Sequence, residues 1–194
     1  CDSSDACMTY SDGHSWCFSC STYFKPNDME DMTMQPQQST VRPMTANGQI
    51  TSIPDRKISE ATCKKYNVRT VKDNSNKIIQ HLYPYYDKDN NHVGDKVRNL
   101  PKDIRAIGNV GQGTLFGQNL FNQGGKYVTI CEGELDALAA YEMLGSKWPV
   151  LSIKDGAASA LRNCKANLEY LSQYENIVLC FDNDDSGRKA AKQV

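Results

Sequence analysis

Apolar and polar residues alternate in two different rhythms along this chain, and the change of rhythm marks its domains. From Tyr127 onward, β-branched apolar runs alternate with amphipathic stretches. Tyr127-Val128-Thr129-Ile130 is followed by a helical pattern over 134–144 with Leu135, Leu138 and Ala139 on one face. A second apolar run at 149–153, a helical pattern over 157–171 and a third run at 177–181 complete the series. This order predicts a βαβαβ unit with a parallel sheet over residues 126–194. Upstream, Ile58–Tyr66 predicts a short helix, 78–86 a strand bent at Pro84, and Asp87–Asn91 a hairpin turn into a strand that carries Lys96. Residues 53–125 therefore form an antiparallel α+β lobe. Residues 25–52, with Gln35-Pro36-Gln37-Gln38 and little apolar periodicity, predict a flexible linker. The first 24 residues are too few for a hydrophobic core, and a unit of that size needs a metal to fold.

The cysteines supply that metal site. Cys1 is followed by Cys17-Phe18-Ser19-Cys20, and a C-x-x-C pair on a tight turn is how a zinc ribbon presents thiolates to a tetrahedral ion. Cys1, Cys17 and Cys20 are the candidate zinc ligands, with Cys7 and His14 as local alternatives for a fourth. Cys63, Cys131, Cys164 and Cys180 fall inside predicted helices and strands and read as reduced core thiols rather than a disulfide framework. No apolar run approaches the length needed to span a bilayer, and a cytoplasmic protein is expected. The formal net charge of −1 argues against tight autonomous nucleic-acid binding and suits transient contact.

Two acidic strand ends carry the candidate chemistry. Cys131-Glu132-Gly133-Glu134-Leu135-Asp136 follows one predicted strand, and Phe181-Asp182-Asn183-Asp184-Asp185-Ser186-Gly187 follows another. Acids at the carboxyl ends of parallel strands lie in the crevice where open α/β sheets bind ligands. Mg²⁺ takes one or two carboxylates together with water and phosphate oxygens, so a few acids on rigid elements suffice. The plainer alternative is a strand-to-helix turn with Asp185 or Ser186 as the N-cap of a final helix.

These two stretches resemble the Toprim domain of primases, type IA topoisomerases and related nucleases. The resemblance implies Glu132, Asp182 and Asp184 as catalytic residues and, with Asp136, as magnesium ligands. It also implies a third acidic motif one strand further on, beyond Val194. A zinc ribbon, a polar linker and a Toprim core in that order resemble the primase half of the bifunctional primase-helicases of short-tailed phages of the T7 type. Tyr10-Ser11-Asp12-Gly13-His14-Ser15-Trp16-Cys17 is similar to the zinc-domain segment of that family. Lys96-Val97-Arg98, Lys102, Arg105 and Leu115-Phe116-Gly117 are similar to the subdomain before its Toprim core.

That resemblance implies a DNA primase that makes short RNA primers on single-stranded DNA. Asp12, His14 and Tyr23 would contact the template, and Lys96, Lys102 and Arg105 would bind nucleotide or primer phosphate. The implied partners are ribonucleoside triphosphates, a replicative helicase half that assembles as a hexamer or heptamer, and a DNA polymerase. Lys154-Asp155-Gly156 departs from the glycine-rich turn expected after the second strand. The duller reading of Lys96, Arg98, Lys102 and Arg105 is an exposed strand edge. A Toprim nuclease, a non-catalytic Twinkle-like module and a recombination mediator are the competing functions.

Overall fold

The structure is a computed structural model that describes residues 7–9, 15–17, 22–24 and 47–194. The chain divides into two compact units, 1–41 and 42–194. Within the first, β1 (Cys7–Thr9), β2 (Ser15–Cys17) and β3 (Thr22–Phe24) form an antiparallel sheet in that order, with Cys7 opposite Cys17. Cys1, Asp12, His14 and Cys20 lie outside the described residues, as do the side-chain contacts of Cys17.

The second unit opens at a sheet edge. Gln49, in the stretch expected to be linker, forms an antiparallel bridge with Thr70, and Thr51 Oγ1 lies 2.7 Å from Thr70 Oγ1. The lobe thus takes in residues before Ile53. Helix α1 (Glu60–Tyr66) starts two residues later than its apolar pattern suggests. Ile58 is held in a bridge to Ile53, and the Ser59 hydroxyl caps the helix by accepting the Thr62 N–H at 3.2 Å. Strands β4 (Arg69–Lys72), β5 (Ile78–Tyr86), β6 (His92–Asn99) and β7 (Asp103–Gly108) follow as an antiparallel sheet in sequence order. The two inner strands and their hairpin match the sequence reading. The hydrophobic pattern predicts neither outer strand, because β4 is short and β7 is exposed along most of its length.

The parallel sheet has β8 (Gly125–Cys131) at its centre, flanked by β10 (Tyr174–Cys180) on one side and β9 (Val150–Ser152) on the other. Alternation along β8 gives it two buried faces. Cys131 packs with Leu135 and Leu138 of α2 (Glu134–Met143) and with Tyr66, Tyr83 and Phe116 of the antiparallel lobe. Val128 and Ile130 pack with Leu151, Ala160, Tyr170 and Ala190 on the opposite face. Helices therefore cover both sides of the sheet, with α5 (Asp185–Gln193) last in the chain.

The helix expected over 157–171 is broken into a 3₁₀ turn, α3 (Ala160–Ala166) and α4 (Leu168–Leu171). The two helices part at Asn167, whose side-chain amide donates to the Asn163 carbonyl at 2.9 Å and competes with regular helix bonding. Cys63, Cys131 and Cys164 are buried free thiols as expected, but Cys180 is exposed because it ends an edge strand. Beside it an apolar groove of about 570 Å³ runs between α2 and β10, lined by Tyr127, Val178, Met143 and Trp148.

His81 on β5 is 3% exposed, and burial with nearby Arg98 and Arg56 pushes its pKa down to about 4. The unfolded chain protonates near the ordinary 6.5, so it binds more protons than the fold between these values. The neutral-His contribution is complete above about pH 6.5, is lost as pH falls toward 4, and is worth on the order of 3 kcal/mol at most. We expect urea midpoints of the parent to fall across that window and those of His81→Gln to fall less.

Candidate metal and nucleotide site at the strand ends

The strand order makes the site. The chain leaves central β8 toward β9 and returns past it to β10, so connections on the two sides of β8 diverge and leave a crevice at the carboxyl ends of β8 and β10. Cys131 is level with Cys180 in the parallel register. Glu132 and the turn at Asp182 thus leave the sheet side by side.

Glu132 is half-buried and spans the crevice. Its Oε2 accepts the Asp182 N–H at 3.2 Å and its Oε1 accepts the Ala157 N–H at 3.3 Å. One carboxylate is therefore held by the loop after β10 and by the loop after β9. Burial is tolerable here because backbone donors meet the charge.

Asp136 stands on the first turn of α2. Its carboxyl is raised above the usual carboxylate range by desolvation and then by the like charge of Asp182, with smaller contributions from Glu132 and Glu134 and an opposing hydrogen bond from Gly133. Because the residue is exposed, the crowding of like charges is the firmer part of that shift. Asp136 thus feels the charges of both Asp182 and Glu132, and the Asp182 backbone N–H meets the Glu132 carboxylate.

Asp184 does different work. It is the N-cap of α5, one residue before the capping positions weighed from sequence, and its Oδ1 accepts the Gly187 N–H at 2.7 Å. Gly187 is needed for close approach: a Cβ there would lie 2.1 Å from the Asp182 carbonyl oxygen. Among the described residues, no three His, Cys, Asp or Glu side chains converge as a ready ligand set. The donors are nonetheless all hard carboxylate oxygens that repel one another, which fits a cation such as Mg²⁺ that needs only one or two of them.

The three basic residues separate. Lys96 is half-buried and its Nζ donates to Glu134 Oε1 at 2.6 Å and to the Lys154 carbonyl. Lys102 is exposed in the turn between β6 and β7. Arg105 pairs opposite Val97, so alternation directs it to the other face of the sheet from Lys96. Tyr23, on β3, is 52% exposed.

The sequence reading gave Glu134 no role. It is 7% exposed, and the Tyr85 hydroxyl donates to its Oε1 at 2.6 Å. The signal was its helical spacing: Glu134, Leu138 and Tyr141 fall on one stripe, and all three are buried.

Comparison with known proteins gives the family. Residues 48–108 match the family described as bacteriophage T7 DNA helicase/primase, N-terminal α+β fold, and residues 129–194 match the Toprim-like family. The crystal structure of the primase fragment of the bacteriophage T7 primase-helicase is 33% identical with a TM-score of 0.69, covering 100% of this chain and 82% of that one. The chain belongs to the T7-type phage helicase/primase family. Another similar structure holds T7 primase domains bound to an RNA/DNA hybrid and dTTP and interacting with the lagging-strand DNA polymerase; it is 36% identical, with a TM-score of 0.65, over 76% of this chain and 74% of that one. The DNA helicase/primase of Enterobacteria phage T3 is 36% identical over the whole of this chain, which spans 36% of that relative's length. The E. coli primase catalytic core shares the fold, with a TM-score of 0.52 at 15% identity over 72% of this chain and 56% of that one.

Asp184→Ala removes the α5 cap and should cost about 1 kcal/mol in denaturant unfolding, whereas Asp184→Asn, a competent cap, should stay close to the parent. Equal losses in both variants would show that the charge, not the cap, holds the turn.

Proposed function

We propose that this chain is the catalytic primase part of a phage primase-helicase and makes short RNA primers on single-stranded DNA. The observation that carries the reading is the Glu132 carboxylate, fixed by backbone N–H groups from two loops in the switch-point crevice, with the charge of Asp136 crowded by Asp182 and Glu132. Family membership supports the same reading.

Glu132 and Asp182, with Asp136 and Asp184, would hold divalent magnesium, which supplies Lewis-acid polarisation of the reacting oxygens when bound. The reaction joins a ribose 3′-oxygen to the α-phosphorus of a nucleoside triphosphate, releasing pyrophosphate and the hydroxyl proton. The chain's own contribution is placement: the two N–H groups orient Glu132, and the Asp184 cap fixes the turn that carries Asp182. Lys102, exposed at the hairpin turn, would bind nucleotide or primer phosphate. Lys96 acts from behind through its partner, and Arg105 adds long-range positive potential from the far face.

Zinc on Cys1, Cys17 and Cys20 would fold the N-terminal unit, and Asp12, His14 and exposed Tyr23 would read the template. Helicase and DNA polymerase are the proposed partners, with hexamer or heptamer formation through the helicase half.

Primer synthesis from labelled ribonucleoside triphosphates on varied single-stranded templates tests the reading. Glu132→Gln should reduce Mg²⁺-dependent synthesis by about 10²-fold or more, since it removes charge from the reacting centre. It should also abolish the Mg²⁺-induced rise in melting temperature, with a modest fall in the metal-free melting temperature because the Gln carbonyl keeps only one of the two backbone N–H bonds. Lys102→Ala should raise the nucleotide KM with the fold intact. Unaltered synthesis in Glu132→Gln would refute the assignment. Cys17→Ser with Cys20→Ser should release zinc on metal analysis and abolish template selectivity; unchanged zinc would reject those ligands.

A further inference from the structure

Side chains cross in both directions between the antiparallel lobe and the parallel sheet, directly behind the acidic centre. From β6, Lys96 Nζ reaches Glu134 Oε1 and the Lys154 carbonyl, and from β5 the Tyr85 hydroxyl reaches the same Glu134 oxygen. From the end of β9, Lys154 Nζ reaches back to the carbonyls of Gly113 at 2.6 Å and Gly111 at 3.0 Å, in the loop after β7. The Lys154 amide is itself 3.4 Å from Asn163 Oδ1, which ties the crossing to α3.

The side chains of Lys96 and Glu134 are 15% and 9% exposed. A pair this dry adds little stability compared with an apolar one, but breaking it leaves an uncompensated charge. Its value lies in geometry. Glu134 follows Glu132 by two residues, yet one of its oxygens is already taken by an ammonium and a phenol. Desolvation holds the Lys154 ammonium below the usual lysine range, while its bonds to the Gly113 and Gly111 carbonyls favour the charged form.

We propose that Glu134, Lys96 and Lys154 form an interlobe clasp, with Glu134 a positioning residue that orients Lys96 and sets the distance from β6 to the acidic strand ends rather than a ligand of the cation. Lys154, the departure noted in the sequence, is the return arm of that clasp. The inference rests on the proposed catalytic reading only for its functional consequence. The clasp itself is independent of it. Misplacement of reacting groups by about 1 Å costs on the order of 10²-fold in rate, so a clasp here would matter to catalysis without touching substrate.

Two measurements that need no primer synthesis decide it. Mn²⁺ binding, followed by electron paramagnetic resonance, should be unchanged within about twofold in Glu134→Gln and Lys154→Met but lost in Glu132→Gln. Amide hydrogen exchange of residues 109–113 should accelerate about tenfold or more in both clasp variants and stay at the parent rate in Glu132→Gln. If the protein makes primers, Glu134→Gln should also raise the nucleotide KM while leaving the Mg²⁺ concentration for half-maximal rate unchanged. Weakened Mn²⁺ binding in Glu134→Gln comparable to that in Glu132→Gln, or unchanged exchange in Lys154→Met, would overturn the proposal. Should Glu134→Gln fail to fold, Lys154→Met alone carries the test. A parent that makes no primers would refute the proposed function and leave the clasp result standing.

Discussion

Parallel strands β8 and β10 run in register from Tyr127–Asn176 to Cys131–Cys180, and the acidic centre depends on that pairing. Side chains alternate with a period of two, so a slip of one residue would turn Val128 and Ile130 away from their core and move Asp182 off the level of Glu132. The burial of β8 on two different apolar faces makes such a slip costly. The same packing that stabilises the sheet therefore aligns its carboxylates.

Around that alignment the chain uses backbone donors rather than more charge. Glu132 is met by two N–H groups, Asp184 by the N–H of Gly187, and Gly187 must lack a Cβ to let the turn close on Asp182. Fixed dipoles of this kind can hold carboxylates close together without a permanent countercharge, which leaves the crowding for a cation to relieve. Lys96, the basic residue behind the centre, is spent on Glu134 instead. Lys102 stands in the exposed turn between β6 and β7, and Arg105 lies on the other sheet face from Lys96.

Strand ends, helix patterns and the acids that follow two of the strands were legible in the sequence because each depends on local periodicity and on residue types in short stretches of chain. The parallel order of the last three strands and the β5–β6 hairpin follow from those signals. The capping position of α5 was harder to place, since Asp184, Asp185 and Ser186 are all competent caps and only the turn geometry selects Asp184. The break at Asn167 was invisible to hydrophobic pattern, because an amide-to-backbone bond leaves the apolar stripe intact.

By itself the sequence determined which residues are acids at strand ends, since strand length and turn residues are written locally. Only the tertiary structure decided which charges act together. Whether Lys96 and Arg105 share a face depends on the pairing register of β6 with β7, and whether Glu134 serves the cation or the lobe contact depends on Tyr85 and Lys96 arriving from strands 49 and 38 residues away. Those are long-range contacts, and no local pattern encodes the partner across them.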